Sequence, residues 1–282
     1  MNQKLLTIFT RTPLHVGAGS SVGAIDSPIQ RERHTGFPVI PASSLKGTFA
    51  DEWNEDGKRG GDGAWLFGSD DSNNQCAGSL LFSEARVLAF PIRSAKGSFA
   101  WITCPIMLQR AKRDGVIDCD IPKEPKDEEV IFKADGLLSL PDNKIVLEDY
   151  CFTATGTYPE GIAKAISNLV KDELFATIND RLVILSNGTM SHFATTACEV
   201  AQHVRISDET GTADGGALFN QENVPADTLF YSVMTTTAGK GANKKTSEDA
   251  WKAFQEKVSE KKVFQFGGDA STGLGFCSVE VK

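Results

Sequence analysis

Residues 14–43 constrain the fold more than any other part of this 282-residue chain. They hold four glycines and three prolines, and they separate a strand-like first segment from the first helix-like one. A stretch this long without regular structure of its own is uncommon in a compact domain, and where it occurs it usually binds or catalyses. Before it, Leu5-Leu6-Thr7-Ile8-Phe9-Thr10 suits a pleated surface, and Pro13 closes that strand. After it, Leu45, Phe49 and Trp53 recur at helical spacing. Ser43 or Ser44 is placed to cap this helix and Gly57 to end it.

Farther along, strand-like segments cover 80–90 and 99–107. The glycine- and acid-rich residues 57–78 read as a mobile surface loop, and the acidic, proline-punctuated 114–129 as part of a second insertion, about 110–160. Ile162, Ile166, Leu169, Val170 and Leu174 predict a second helix. A strand at 182–185 runs into an Asn187-Gly188 turn. Residues 200–233 hold two extended pieces separated by Gly211, Gly215 and Gly216, which predicts a long hairpin or arm. Trp251, Phe254 and Val258 mark a third helix, followed by a strand at 263–266, a glycine loop and a last strand at 274–281. Strands and helices mix without regular alternation, so the fold class is α+β rather than a doubly wound parallel sheet. One elaborated domain spanning 1–282 fits this order.

With 40% apolar residues the chain can bury a sizeable core, yet no apolar run approaches a membrane span. The first residues lead straight into a strand without a signal-peptide pattern, so a cytoplasmic protein with no membrane partner is expected. Six cysteines form no C-x-x-C pair and four histidines show no zinc spacing. Reduced, mostly buried thiols and no structural zinc follow. The net charge of −8 opposes a generic nucleic-acid binder. Residues 1–50, however, carry Lys4, Arg11, Arg31, Arg33 and Lys46 against Asp26 and Glu32 alone. A local basic surface on an acidic protein can still hold a phosphate backbone.

Three glycine-bearing segments are candidate sites. In Gly17-Ala18-Gly19-Ser20-Ser21-Val22-Gly23, Val22 stands where a dinucleotide fingerprint needs glycine, and Ile25-Asp26-Ser27-Pro28 follows where a helix should start. No nucleotide cofactor is expected. In Ile40-Pro41-Ala42-Ser43-Ser44-Leu45-Lys46-Gly47, a lysine sits in the first turn, where the helix dipole disfavours cations. Lys46 therefore either faces a phosphate or is simply solvated. In 266–276, Gly267, Gly268, Gly273 and Gly275 exceed what a hairpin turn requires, and Ser271 and Thr272 can donate to phosphate oxygens.

Together these segments resemble the RAMP superfamily of CRISPR proteins, in particular the repeated backbone subunit of the Cmr (type III-B) effector complex. The resemblance rests on Leu14-His15-Val16-Gly17-Ala18-Gly19, Gly23-Ala24-Ile25-Asp26, Pro28–Arg33, the 38–47 helix start, 205–213, 222–228 and the last glycine loop. Ala42 departs from the glycine frequent there, and 91–180 matches no motif. The resemblance implies a ferredoxin-like, RNA-recognition-motif-type core with large insertions and a thumb-like hairpin at about 200–233. It implies copies of the chain stacked as a helical filament along guide RNA, beside other Cmr subunits, cutting a paired single-stranded target RNA at regular intervals.

Residue by residue, it puts the cleaving aspartate on Asp26, either as proton acceptor or as a ligand for a divalent ion such as Mg or Mn. An Asx turn at Asp-Ser-Pro is the plainer reading of the same residue. His15, Glu222 and Tyr231 are secondary catalytic candidates, His15 either shuttling protons or only hydrogen-bonding. RNA contacts fall on His15, Gly17, Gly19, Arg31, Arg33, Ser43, Ser44, Lys46, Arg205, Gly267, Gly268, Ser271, Thr272, Gly273 and Gly275. Two rivals remain open: a non-catalytic structural subunit, and a stand-alone nuclease that processes guide RNA through a histidine.

Overall fold

The computed structural model describes residues 3–21, 23–55, 58–59, 61–69, 75–159, 161–240 and 244–282; for 55, 58, 59, 61, 205 and 214–217 the backbone alone is described. The strands of the first half are β1 (Gln3–Thr10), β2 (Val39–Ile40), β3 (Asn54–Glu55), β4 (Lys58–Arg59), β5 (Leu80–Phe82), β6 (Ala85–Arg93) and β7 (Phe99–Thr103). Those of the second half are β8 (Glu129–Phe132), β9 (Lys144–Leu147), β10 (Tyr150–Gly156), β11 (Leu182–Ile184), β12 (Glu199–Ile206), β13 (Ala213–Asn223), β14 (Leu229–Thr236), β15 (Val263–Gln265) and β16 (Phe276–Val281). The α-helices are α1 (Ala42–Asp51), α2 (Gly61–Phe67), α3 (Pro105–Arg113), α4 (Gly161–Ser167), α5 (Ile178–Arg181), α6 (Asn187–Thr196) and α7 (Ser247–Lys261). No helix among the described residues is long and apolar enough to cross a membrane.

A single large sheet runs β15-β16-β1-β14-β6-β7-β11-β8-β10-β9, with β2 on β6 and β5 on β14. β1 pairs antiparallel with both β14 and β16, which makes it a central strand. Central strands are covered on both faces, and the two-residue side-chain period then sorts their residues into two cores. Leu6 and Ile8 of β1, Phe230 and Met234 of β14, and Ala100 and Ile102 of β7 join one core, with α1 and α7. Phe9, Leu229, Tyr231 and Trp101 join the other, with α4 and α5. Phe49 of α1 is fully buried at the centre of the first core, its ring 5.1–5.7 Å from those of Phe82, Phe254, Phe264 and Phe266.

The structure is mixed α+β, as the irregular order of elements predicts. The helix expected around Trp251 is α7, started by a reciprocal Thr246–Asp249 capping box and ended by Lys262 in the left-handed region. Several expectations need correction. Residues 57–78 are not simply a surface loop: α2 lies within them and buries Leu66 and Phe67. The middle region extends the sheet through β8–β10, and Phe132, Ile145, Leu147 and Phe152 join the first core. Asn187-Gly188 is the first turn of α6 rather than a free turn, because Ser186 accepts from the Thr189 N–H at 3.0 Å and caps it. The second helix stops at Ser167, and Leu174 is exposed. Of the six free cysteines, only Cys104 and Cys277 are fully buried, and Cys151 is exposed.

The arm is a separate two-stranded sheet, β12–β13, with Val200, Val204, Ile206 and Leu218 each at least half exposed. It ends at Asn223, short of the expected boundary, since 229–233 belong to the central strand β14. Phe49→Ala removes the ring that four others pack on, and such deletions cost about 3–5 kcal/mol. Denaturant unfolding of the variant is expected to show that loss with an unchanged m-value.

Candidate nucleic-acid interface

Two of the three segments picked out by their glycines, the first and the last, meet in the structure. Residues 14–17 run beside 28–30 and bridge to the root of the arm through Leu14 and Val224. The C-terminal loop closes on the same place: the Gly268 N–H donates to the His15 carbonyl at 2.9 Å, and the Gly275 N–H to that of Pro13 at 2.8 Å. Gly267 and Gly275 sit at φ +75° and +78°, and a Cβ on either would overlap a carbonyl, of His15 and Phe266 respectively. Gly267 lets the C-terminal loop approach His15, and Gly275 lets the two ends of that loop close on each other. Their requirement is internal to the protein and does not depend on RNA.

His15 is buried at the junction. Its Nδ1 lies 2.7 Å from the Glu222 carbonyl, which only accepts, so Nδ1 carries a proton. In the neutral ring Nε2 is then the acceptor for the Ser27 hydroxyl, at 3.2 Å. Both nitrogens are thus engaged inside the protein, which fits the hydrogen-bonding alternative better than an exposed proton shuttle. Glu222 is equally enclosed, 3% exposed. Its carboxylate accepts from Arg31 at 2.5 Å and from the Ile29 N–H at 3.1 Å. It fixes the loop, and it does not face solvent as a second acid would.

Arg31 is corrected as an RNA contact. Its guanidinium donates to the carbonyls of Gly36 and Ala194, each at 2.6 Å, as well as to Glu222. Those bonds use the fork that a phosphate would need. Tyr231 is corrected too. It lies in mid-strand β14, buried in the second core, and its hydroxyl donates to Asp114 at 3.0 Å. Burial, and Asp114 beside it, push this phenol up.

Ser43 and Ser44 lie inside α1 and do not cap it: Pro41 holds the N-cap position, with no side-chain cap bond. Lys46 is exposed and lines an open cleft of about 470 Å³ with Ser43 and Gly68. Arg33 is exposed beside a second cleft, about 560 Å³, lined also by Arg86, Arg110 and Arg113. Glu32 braces that cleft by accepting from Arg110 at 2.8 Å. Burial opposes its ionisation, but hydrogen bonds from Thr35 and Arg110 outweigh burial and hold the carboxyl below its ordinary value. Gly17, Gly19, Gly267, Gly268, Ser271 and Thr272 are exposed along the loops, with Gly273 half-buried and Gly275 buried. The side chain of Arg205 lies outside the described residues.

Asp26 is exposed on the 14–43 segment, at the root of the arm. Its Oδ2 accepts from the Asn220 N–H at 2.8 Å, and its own N–H donates to Asn220 Oδ1 at 2.7 Å. Oδ1 takes no hydrogen bond among the described residues. The Asx turn expected from Asp-Ser-Pro is replaced by this pairing with a residue nearly two hundred positions away. Among the described residues no group of three or more His, Cys, Asp or Glu side chains could hold a metal ion. With one free oxygen on Asp26, these donors alone do not make a resident Mg or Mn site.

Sequence reasoning missed Ser27, Asn220 and Gln221. Gln221 ties the arm to the C-terminal loop by donating to Asp269 at 3.0 Å. For Asn220 and Gln221 the signal was the run Asn220-Gln221-Glu222-Asn223, four polar side chains in succession at the end of a strand. The last three are at most 3% exposed, so each needs a partner: Gln221 finds Asp269, Glu222 finds Arg31, and Asn223 accepts from Gln221 itself.

The RAMP superfamily model matches residues 7–278. The chain is 33% identical, over 300 aligned positions covering all of it and 96% of the relative, to the CRISPR system Cmr endoribonuclease Cmr4 of Pyrococcus furiosus. The crystal structure of oligomeric Cmr4 from Pyrococcus furiosus superposes with a TM-score of 0.73 at 27% identity, covering 100% of this chain and 98% of that one. A chain of the type III-B Cmr-beta complex bound to cognate target RNA shares the fold, with a TM-score of 0.75 at 19% identity and 97% of that chain covered. A family match over nearly the whole length, with a one-third-identical relative covered almost end to end, means that this chain belongs to the RAMP superfamily.

Proposed function

We propose that the chain is the repeated backbone subunit of a type III-B, RNA-guided effector complex and that it cleaves target RNA through Asp26. Copies of it stack along guide RNA beside other Cmr subunits, and the target strand pairs with the guide. One observation carries the reading: among the described residues, Asp26 Oδ1 takes no hydrogen bond while Oδ2 and the main chain are held, at the root of the arm. A purely structural RNA-binding subunit has no use for an exposed carboxylate there, where it repels phosphate. A stand-alone nuclease relying on His15 is disfavoured by that residue's burial and its two internal bonds. The endoribonuclease name of the one-third-identical relative supports cleavage, and the oligomeric Cmr4 crystal supports self-association.

The core is ferredoxin-like. β16-β1-β14-β6 are neighbours, all antiparallel, with α1 between β1 and β6 in sequence and α7 between β14 and β16. That is the βαββαβ order, with a large insertion between its second and third strands.

The chemistry is attack of a target 2′-hydroxyl on its own adjacent phosphorus, with departure of the 5′-oxygen. Asp26 Oδ1 accepts the 2′ proton. A carboxylate is a weak base near neutral pH, so in-line placement of the splayed nucleotide supplies most of the acceleration. Base pairing reads the sequence, and the protein holds shape and backbone.

Asp26→Asn removes the proton acceptor while keeping the side chain's size, and loss of a general base costs about 10²–10⁴ in rate. Single-turnover cleavage by the assembled complex is expected to fall by that factor with target affinity unchanged. Wild-type products are expected to end in a 2′,3′-cyclic phosphate. Cleavage at the normal rate by the substituted complex returns the chain to a structural role.

Lys46→Ala removes one exposed cation from the cleft beside α1. A phosphate contact carries no base information, so guide RNA of every sequence is expected to bind more weakly by a similar factor. The slope of log affinity against log salt is expected to become shallower by about one. An unchanged slope makes Lys46 a solvated surface lysine.

A further inference from the structure

We infer that Asn220 is the positioning residue for Asp26, so that the arm and the reactive carboxylate are set by one amide. The inference rests on Asp26 as the reactive group and extends it to a residue that acts through Asp26.

Four hydrogen bonds join Asn220 to the loop. Its Oδ1 accepts from the Asp26 N–H at 2.7 Å and its Nδ2 donates to the Ala24 carbonyl at 3.1 Å. Its main-chain N–H donates to Asp26 Oδ2 at 2.8 Å and its carbonyl accepts from the Ser27 N–H at 3.1 Å. One residue of β13 therefore holds 24–27 from both its backbone and its side chain. Asp26 has one oxygen tied and the other free, which fixes the direction of the free lone pairs.

The surroundings explain why this matters. Gly23, Ala24 and Asp26 are exposed, with Ile25 between them half-buried. On the far side, Ser27 is held by His15, and from Ile29 onward the loop is pinned by Glu222. Residues 24–26 are thus held by Asn220 from the arm, beside one bond within the loop, from the Ser21 N–H to the Asp26 carbonyl at 2.9 Å. An amide is required: Oδ1 must accept and Nδ2 must donate at the same time, which neither aspartate nor a hydrocarbon side chain can do. A displacement of about 1 Å at a reacting group costs up to about 10²-fold in rate, whereas an exposed loop contributes little to global stability.

The test uses the assembled complex with guide RNA and complementary target, carrying Asn220→Ala, Asn220→Asp or Asp26→Asn. Asn220→Ala is expected to lower the single-turnover rate constant at saturating target by about 10- to 100-fold. Target affinity, guide retention and the melting temperature of the subunit are expected to stay at wild-type values. Asn220→Asp still accepts from the Asp26 N–H but sets an oxygen against the Ala24 carbonyl, so it is expected to be at least as slow. Slow cutting at unchanged affinity in both Asn220 variants supports the positioning role. If Asp26→Asn is inactive while both Asn220 variants cut at the wild-type rate, the positioning role is overturned and the role of Asp26 stands. If Asp26→Asn itself cuts normally, the reading beneath both is overturned. If Asn220→Ala loses target affinity in step with its rate, Asn220 serves the shape of the arm and the inference fails.

Discussion

The buried carboxylate of Glu222 is the interaction on which the site depends. It accepts from Arg31 and from the Ile29 main chain, while its own N–H donates to Ser27 and its carbonyl accepts from His15. One residue at the end of β13 thereby fastens the 14–43 segment along three stretches, 15, 27 and 29–31. A carboxylate this enclosed is tolerable only because its charge is paired and its lone pairs are used; breaking such a pair by removing one partner costs about 3–5 kcal/mol. Arg31 spreads the effect further, since it also closes on the carbonyls of Gly36 and Ala194, the latter in α6. Loop, arm and helix are therefore one cooperative unit, although they are far apart in the chain.

What was legible in the sequence was whatever repeats. The strand-favouring residues of 5–10 and the helical spacing of Trp251, Phe254 and Val258 report local structure directly, and the structure has β1 and α7 there. The converging glycine loops were legible as a family pattern. What escaped were choices made by partners elsewhere in the chain. Ser-Asn-Gly has the chemistry of a turn and of a helix start alike, and Asp127, which accepts from Ser186 at 2.5 Å, belongs to the α6 cap. Pro41 preceded two good capping serines and took the position itself, since its fixed φ suits the entry to α1. An arginine reads the same whether it faces phosphate or carbonyls, so Arg31 and Arg33 were indistinguishable until the fold enclosed one and exposed the other. Asn220 was invisible for the same reason: its partners lie at 24–27.

The acidic net charge ceases to be a puzzle once the charges have places. The screening length at physiological salt is about 8 Å, so a phosphate senses only its immediate neighbours. Beside the 14–43 segment those neighbours include Arg33 and, across the cleft, Arg86, Arg110 and Arg113. Glu32, Glu84 and Asp114 partly neutralise this group, and they also hold the guanidinium planes in fixed orientations. Arg86 is raised above its ordinary value: burial opposes its charge, but Glu84 and Asp114 more than compensate. Arg86 and Arg110 are thereby engaged as Arg31 is, a trade of free charge for fixed loop geometry, and Arg33 and Arg113 are the exposed guanidinium groups of this cleft.

The same trade explains the glycines. Gly267 and Gly275 were expected to bring backbone close to RNA, yet what they bring together is protein: the C-terminal loop seated on the carbonyls of His15 and Pro13. This contact stiffens the base from which the 14–43 segment departs, and Gln221 adds a bond from the arm to Asp269 of that loop. Stiffness at the base is what gives an exposed aspartate a defined direction. A carboxylate beside RNA pays an electrostatic penalty wherever it sits, and it is useful only if it stays where the 2′-hydroxyl is presented. Asn220, which holds Asp26, is followed in β13 by Gln221, which holds the C-terminal loop, and by Glu222, which holds Arg31 and Ile29, so three successive residues of one strand fasten the loop to the arm.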